Sequence, residues 1–455
     1  MTVTLDNTIT AGGNDPTKFD PKEAWYPVYY VDDLDRAKPN KFTLLGIDLV
    51  IWWDSASNNW RAFEDKCPHR LVPLSEGRIN ESGLLECPYH GWSFSGSGDC
   101  EFIPQQVEDG QAQTSKRACA TSFKTAVAQG LLFIYPGNAE NADRVTVPII
   151  EAMEESASEW ICLNTFRDVP YDALTLLENT IDPSHVPYTH HNTVGKRTNV
   201  APVELKITHS DKQGFQGIWE EGPRKGTLGT QYTNFVAPAL MWHDLTSKQF
   251  GRTLTVVYAT PIRKGQCRLF ARFPFKFASP IPRFFIKLSP RWYTHIRNNN
   301  ILEDDQIFLH YQERYLESLG GSRNYNQVTY LPTKADLYVS ELRQWVNLYD
   351  ADSFADDSYT APLPKEELLD RYHSHTKHCA SCRNALQNIQ KLKTASGIIA
   401  VTALASSPVV ELLLDTTWLS YGVSALALLF SLTWWQLSKL ERKFYDGIDI
   451  PARNL

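Results

Sequence analysis

The sequence predicts an α+β protein: an antiparallel β domain, a larger α+β domain and a C-terminal pair of membrane-crossing helices. Three observations predict it. Short β-rich strings broken by turn signals fill the first third, strand-like and helical pieces mix between residues 171 and 318, and two long apolar segments stand near the C-terminus. A chain of 455 residues is expected to hold more than one domain. The net charge of −7 and the lack of a strongly basic face argue against nucleic acid as a partner.

Taken in order, residues 1–20 read as an unstructured N-terminus. It has neither a basic start nor an apolar run, so it is not a secretory signal, and its acids and lack of Arg before Arg36 do not suit a transit peptide. The expectation is a bacterial chain or one whose presequence is missing. Residues 21–140 form the first domain. Trp25–Tyr30, Phe42–Gly46 and Leu49–Trp53 read as strands, Asp54 to Asn59 as a polar turn between Trp53 and Trp60, and Leu131–Tyr135 as the closing strand. Residues 141–350 form the second domain, helical around 171–195, strand-like at Phe250–Thr260 and Arg268–Phe277, and helical again near 301–318. This is an antiparallel sheet with helices over one face. Residues 351–393 read as a linker carrying Cys379-Ala380-Ser381-Cys382, residues 394–436 as two transmembrane helices, and 437–455 as a cytoplasmic tail. Each apolar segment can cross roughly 30 Å of hydrocarbon as a helix. Trp418, Trp434 and Trp435 lie at segment ends, and Lys391, Lys393, Lys439, Arg442 and Lys443 flank the pair, which keeps both flanks on the cytoplasmic side. A buried helical hairpin is the competing reading.

The chemistry concentrates in two strings, Cys67-Pro68-His69 and Cys87-Pro88-Tyr89-His90, seventeen residues apart. Two Cys on one iron and two His on the other are what a Rieske [2Fe–2S] cluster needs. The same ligand types build zinc sites, but this pairing and spacing are more specific than Cys/His content. Cytochrome-complex clusters carry an extra Cys in each loop. Val72 and Tyr89 occupy those positions here, which favours the oxygenase branch, whose cluster feeds a mononuclear iron.

That iron has an address about ninety residues downstream, in the segment from Glu178 to His191. Non-haem Fe(II) that activates dioxygen takes two His and one carboxylate on one face. His185 and His190 are the proposed imidazole ligands, spaced for a helix end running into a turn broken by Pro183 and Pro187. His191 is adjacent but out of register. A distal carboxylate is sought in Glu303-Asp304-Asp305, read as the acidic start of a helix.

The segment Asn179-x-x-Asp182-x-x-His185-x4-His190 resembles the iron motif of Rieske non-haem iron oxygenases residue for residue. The resemblance implies that Asp182 accepts a hydrogen bond from His185 and bridges to the cluster ligand His90 of a neighbouring subunit, and that Asn179 lies near the iron. It also selects Asp304 as third ligand over Asp305, since Gln312 stands nine residues after Glu303.

Trp25 to Val28, Cys67 to Arg78, Cys87 to Phe94 and Phe102 to Gln105, with the late Cys-x-x-Cys and the paired apolar segments, resemble the pheophorbide a oxygenase family from about residue 20 to the end. That resemblance implies a helix-grip-like catalytic domain, homotrimers, reduced ferredoxin as donor, dioxygen as co-substrate, and a lipophilic chlorophyll-derived tetrapyrrole as substrate, with ring-opening of pheophorbide a as the leading reaction. It implies a thylakoid or cytoplasmic membrane location, and the unsuitable N-terminus points to a cyanobacterial version. Alternatives are a membrane-bound redox sensor or protein-import subunit, and an oxygenase of protochlorophyllide or a sterol. Tyr188, Phe235, Met241, Trp242 and Phe270 are candidate pocket-lining residues, each as readily plain core.

Cys379 and Cys382 follow His373, His375 and His378. They read as a redox dithiol reducible by a thioredoxin-type partner. A metal site with His375 or His378 is an incomplete match to zinc spacings, and a helix start with incidental Cys is the bland alternative.

Overall fold

The computed structural model describes residues 17–455 apart from 156, 249–250, 278 and 415. The expectation for the N-terminus lies outside the described residues up to position 16. From there the chain is held: the Phe19 amide donates to the Tyr349 carbonyl at 2.8 Å, and its ring packs edge-on against Trp345. The chain divides into two compact units, Met1–Phe284 with Asp305–Pro362, and Phe285–Asp304 with Leu363–Leu455.

In the first unit, β1 (Tyr26–Tyr30), β2 (Asn40–Leu44), β3 (Ile47–Asp54) and β4 (Asn59–Glu64) join β9 (Ser122–Ala128) and β10 (Leu131–Tyr135) in a six-stranded antiparallel sheet, order β1-β10-β9-β4-β3-β2. Between β4 and β9 lies a four-stranded sheet of two- and three-residue strands, β5 (Arg78–Ile79), β6 (Leu85–Glu86), β7 (Ser93–Phe94) and β8 (Cys100–Phe102). Strand β3 explains how the two sheets share a core. Side chains alternate across a strand, and here both faces are buried. Leu49 and Ile51 enter one cluster with Val28 and Phe42, while Val50 and Trp52 enter another with Leu74, Leu85, Phe94 and the two sulfurs of Cys67 and Cys87. The turn from Asp54 to Asn59 forms as expected, with Asp54 accepting the Ala56 amide and Asn58 left-handed at φ 53°.

The second sheet has seven antiparallel strands in the order β11-β17-β16-β15-β14-β13-β12. They are β11 (Ile161–Val169), β12 (Leu205–Asp211), β13 (Gly214–Trp219), β14 (Gln231–Val236), β15 (Leu240–Ser247), β16 (Gly251–Arg263) and β17 (Gln266–Lys276). Phe235, Met241 and Phe270 are buried strand residues, while Tyr188 is exposed. Arg268, 2% exposed, pairs with Asp168 at 2.6 and 2.8 Å and donates to the Val28 carbonyl at 3.0 Å, tying β17 to β1.

The helices are α1 (Glu151–Glu154), α2 (Ala173–Ile181), α3 (Val186–Thr189), α4 (Pro280–Leu288), α5 (Arg291–Ser318), α6 (Tyr325–Val328), α7 (Leu337–Tyr349), α8 (Lys365–Leu368), α9 (Ala380–Leu414) and α10 (Thr417–Arg442). Helix α2 buries Leu176, Leu177 and Ile181. Helix α5 begins about ten residues before the expected 301, because Pro290 starts it: the Tyr293 and Thr294 amides donate to the Pro290 carbonyl. Glu303, Asp304 and Asp305 are therefore mid-helix rather than a helix start, and all three are buried.

A buried carboxyl pair lies where α5 passes α2. Glu313 accepts the Asp172 amide at 2.7 Å and the Thr175 hydroxyl at 3.0 Å, with the Arg314 guanidinium at 3.0 Å. Burial, and then the Asp172 carboxylate, push the Glu313 carboxyl up from 4.5 to about 8. A raised acid binds its proton more tightly in the folded state. Its contribution is complete below pH 4.5 and is lost as pH rises to about 8. One proton bound in the folded chain and released from the unfolded one is worth about 1.4 kcal/mol per pH unit, so melting temperature is expected to fall across this window. Thermal melts of Glu313→Gln should show that slope flattened; an unchanged slope would assign it elsewhere.

In the second unit, α9 and α10 form a hairpin whose apolar side chains face outward, with Leu412 84% and Trp418 71% exposed. Inside it, the Ser407 hydroxyl lies 3.0 Å from that of Ser420 and 2.8 Å from that of Ser424, small polar contacts of the kind that join helices in lipid. Both helices are long and apolar enough to cross a membrane by length and composition.

Candidate functional site

The two cluster loops have the same backbone design. In the first, which links β4 to β5, the Cys67 amide donates to Val72 O at 2.9 Å and the Leu71 amide to Cys67 O at 2.8 Å. In the second, between β6 and β7, the Cys87 amide donates to Trp92 O at 2.8 Å and the Gly91 amide to Cys87 O at 3.1 Å. Each loop turns on a left-handed residue, Leu71 at φ 61° and Gly91 at φ 72°. A Cβ on Gly91 would meet Pro104 at 2.9 Å, so glycine is favoured there by space, while the twin position accepts Leu71.

The loops bring the four predicted ligands together. Cys67 and Cys87 are buried against the apolar core, while His69 and His90 lie further out, their rings 4.7 Å apart. Trp92 stacks on His69 at 4.6 Å and 6°. The Cys87 thiol is pulled down to about 6 by its hydrogen bond with Cys67, helped by the Tyr89 and His90 amides; the same contact, with burial, pushes Cys67 up. The Nδ1 of His69 is buried without a hydrogen-bond partner. Such an atom is rare in a folded protein. Two sulfurs, an orphaned imidazole nitrogen and a second imidazole fit a [2Fe–2S] cluster of the Rieske type.

The second constellation is assembled by α2, α3 and α5. Helix α2 ends at Ile181, and Asp182 turns the chain, its Oδ1 accepting the Ser184 amide at 2.7 Å. Pro183 precedes the one-turn helix α3 and Pro187 sits in its first turn, and His185 and His190 cap its two ends. The loop that follows closes on His190, whose carbonyl accepts the Thr193 and Gly195 amides; a Cβ on Gly195 would strike Val186 O at 2.2 Å. The two rings stand 5.3 Å apart at 67°.

The third member is Asp305. Its Oδ2 lies 3.2 Å from His190 Nε2, and ligand atoms of His185, His190 and Asp305 all fall within 4.8 Å of one another. Asp304, the residue expected here, points elsewhere: its carbonyl accepts from the Arg453 guanidinium, and its carboxylate lies 3.8 Å from the same group. The reason is helical phase. Consecutive residues on a helix diverge by about 100°, so Glu303 goes to Arg371 at 2.6 Å, Asp304 to Arg453 and Asp305 to His190. Gln312 does not report the register at the histidines, since its amide donates to Glu178 at 3.1 Å.

Asn179 donates from Nδ2 to Asp305 Oδ1 at 3.3 Å. The His185 contact differs from expectation. Its Nδ1 bonds to the backbone carbonyl of Asp182 at 2.6 Å, with the carboxylate at 3.8 Å. Donation from Nδ1–H to that carbonyl fixes the tautomer and leaves Nε2 free to ligate. His191 is turned away and accepts the Arg197 amide.

Sequence reasoning missed the support beneath these ligands. Glu178, one residue before Asn179, accepts from the Arg343 guanidinium, from Tyr325 at 2.9 Å and from Gln312. His243 on β15 bonds the Thr180 carbonyl at 3.0 Å and is pushed down to about 4 by burial, so it is neutral near pH 7. Nothing local marks either as part of the site, since their partners lie far along the chain. A groove of 560 Å³ runs along α5, lined by Phe308, Tyr311, Tyr315 and Tyr325 among others, and none of its lining residues belongs to the triad. The expected lining residues Met241 and Phe270 are fully buried core.

The family model for the Rieske [2Fe–2S] domain matches residues 24–124, and that for pheophorbide a oxygenase matches residues 235–323. Pheophorbide a oxygenase of Oryza sativa is 38% identical over 82% of this chain and 75% of that protein, and the Arabidopsis thaliana protein of the same name is 36% identical over 83% and 74%. Flavonoid 8-hydroxylase 2 of Ocimum basilicum is 34% identical over 94% and 85%. Among solved structures, dicamba monooxygenase superposes with a TM-score of 0.59 at 20% identity, covering 73% of this chain and 98% of that one. On these matches the chain belongs to the pheophorbide a oxygenase family of Rieske non-haem iron oxygenases, enzymes that carry a [2Fe–2S] cluster and a mononuclear iron.

Proposed function

We propose that this protein uses reduced ferredoxin and dioxygen to oxygenate a lipophilic chlorophyll-derived tetrapyrrole, with ring-opening of pheophorbide a as the reaction. The observation that carries this is the two-centre ligand set on a chain 38% identical to the rice pheophorbide a oxygenase. Bound, the two centres supply single-electron transfer and dioxygen activation. The residues supply position. Cys67, His69, Cys87 and His90 would hold the cluster, His185, His190 and Asp305 the mononuclear iron. Asn179 orients Asp305, and the Asp182 carbonyl orients His185.

We infer that protomers associate as a homotrimer in which the Asp182 carboxylate meets His90 of the partner subunit. The Asp182 side chain is 22% exposed, within reach of an approaching imidazole. The α9–α10 hairpin supports a place in a thylakoid or cytoplasmic membrane, with the enzyme domains on the basic, cytoplasmic or stromal side. A membrane enzyme can draw an apolar macrocycle from the bilayer.

The test is a single turnover. Prereduced protein receives pheophorbide a and labelled dioxygen, and pigments are followed by absorbance and mass. Label in the product with loss of the red band supports ring-opening. No reaction, with both metals confirmed present, removes this substrate and moves the search to protochlorophyllide and to flavonoids, the latter suggested by the hydroxylase from basil.

A further inference from the structure

A further cluster of ligating groups lies wholly within the second unit. His295 comes from α5, His375 from a five-residue π-turn (Tyr372–Thr376), Cys379 from the position before α9, and Cys382 from its first turn. All four are buried, none more than 1% exposed. The His295 Nδ1 lies 3.0 Å from His375 Nε2, 3.4 Å from Cys379 Sγ and 3.5 Å from Cys382 Sγ, and the last sulfur is 3.3 Å from His375 Nε2. The four ligand atoms lie within 4.8 Å of one another.

Hydrogen bonding alone does not account for this. One imidazole nitrogen offers a single proton or a single lone pair, yet this one faces three polar atoms at once. Four donors around a common centre is metal geometry. Zinc bound at about 2.3 Å to sulfur and 2.0–2.1 Å to nitrogen in a tetrahedron sets ligand–ligand edges of roughly 3.3–3.8 Å. Three of the observed contacts, 3.3 to 3.5 Å, lie within that range, and the nitrogen–nitrogen contact of 3.0 Å is slightly shorter. Two thiolates with two imidazoles suit zinc, and four protein ligands leave no open position, the mark of a structural site.

We propose that His295, His375, Cys379 and Cys382 form a structural zinc site that fixes the start of α9 to α5 and the π-turn. The local spacing His-x3-Cys-x2-Cys is incomplete by itself; His295, eighty residues before His375, completes it. His378 is not in the set, and His373 bonds Asp370 at 2.6 Å. The sulfurs are buried, which opposes access by a thioredoxin-type reductant.

The test uses the full chain purified in detergent without chelators. Zinc content is measured, and zinc-edge X-ray absorption gives the shell independently of the irons. About one zinc per chain with two sulfurs near 2.3 Å and two nitrogens near 2.0 Å is expected. Absence of zinc with Cys379 and Cys382 joined as a disulfide that thioredoxin reduces would overturn the proposal, as would zinc in an all-nitrogen/oxygen shell. His295→Ala is expected to lose the metal while the cluster's electron paramagnetic signal persists. His295→Cys is expected to retain it with a third sulfur in the shell. Unchanged zinc and an unchanged shell in both variants would also overturn it. Should neither variant fold, the wild-type shell decides.

Discussion

Asp305→Ala is expected to empty the mononuclear iron site and lower product formation by at least about 100-fold, since loss of even an outer-shell partner costs 10–100-fold at metal sites. The cluster's visible spectrum should be unchanged, because Cys67, His69, Cys87 and His90 belong to a separate sheet and its loops. The paired variant Asp304→Asn is the control. It weakens the 3.8 Å contact with Arg453 and should keep iron and turnover near wild type. Iron quantitation per cluster, with turnover on the same samples, reads both. If Asp304→Asn lost the iron and Asp305→Ala kept it, the helical phase assigned to α5 would be wrong.

Asp182→Ala is expected to leave both metals bound and to lower coupled turnover by about 100-fold or more, on the scale of outer-shell carboxylate losses. The bond that holds His185 uses the Asp182 backbone carbonyl, which alanine retains. Iron occupancy should therefore survive, and the defect should appear in the rate at which the prereduced cluster is reoxidised by dioxygen and substrate. Asp182→Asn keeps a hydrogen-bonding side chain without the charge and separates orientation from electrostatics. Normal coupled product formation by the alanine variant would remove the bridging role.

How much is legible follows from how each feature is built. Strand β3, the Asp54–Asn59 turn and strands β16 and β17 are readable because their β-rich strings and turn residues are local. The start of α5 is misplaced from sequence because an acidic run resembles a helix N-terminus, while Pro290 sets the real start earlier. The choice of Asp304 over Asp305 has a separate origin: it rests on the register of Gln312, which serves Glu178 instead. Likewise, the Cys-x-x-Cys pair reads as a dithiol without His295, which only packing brings to it.

The pairing of the two Cys/His loops and the closeness of His185 to His190 are legible in the sequence alone. Their ligands are separated by a few residues within short turns, whose backbone geometry is set by the residues between them. Tertiary structure alone decided that Asp305 completes the triad, that the Asp182 carbonyl rather than its carboxylate holds His185, and that His295 joins Cys379 and Cys382. Each of these depends on how far a helix is rotated against its neighbours. Contacts far apart in the chain set that rotation, and a change of one residue moves a side chain by about 100° around the axis.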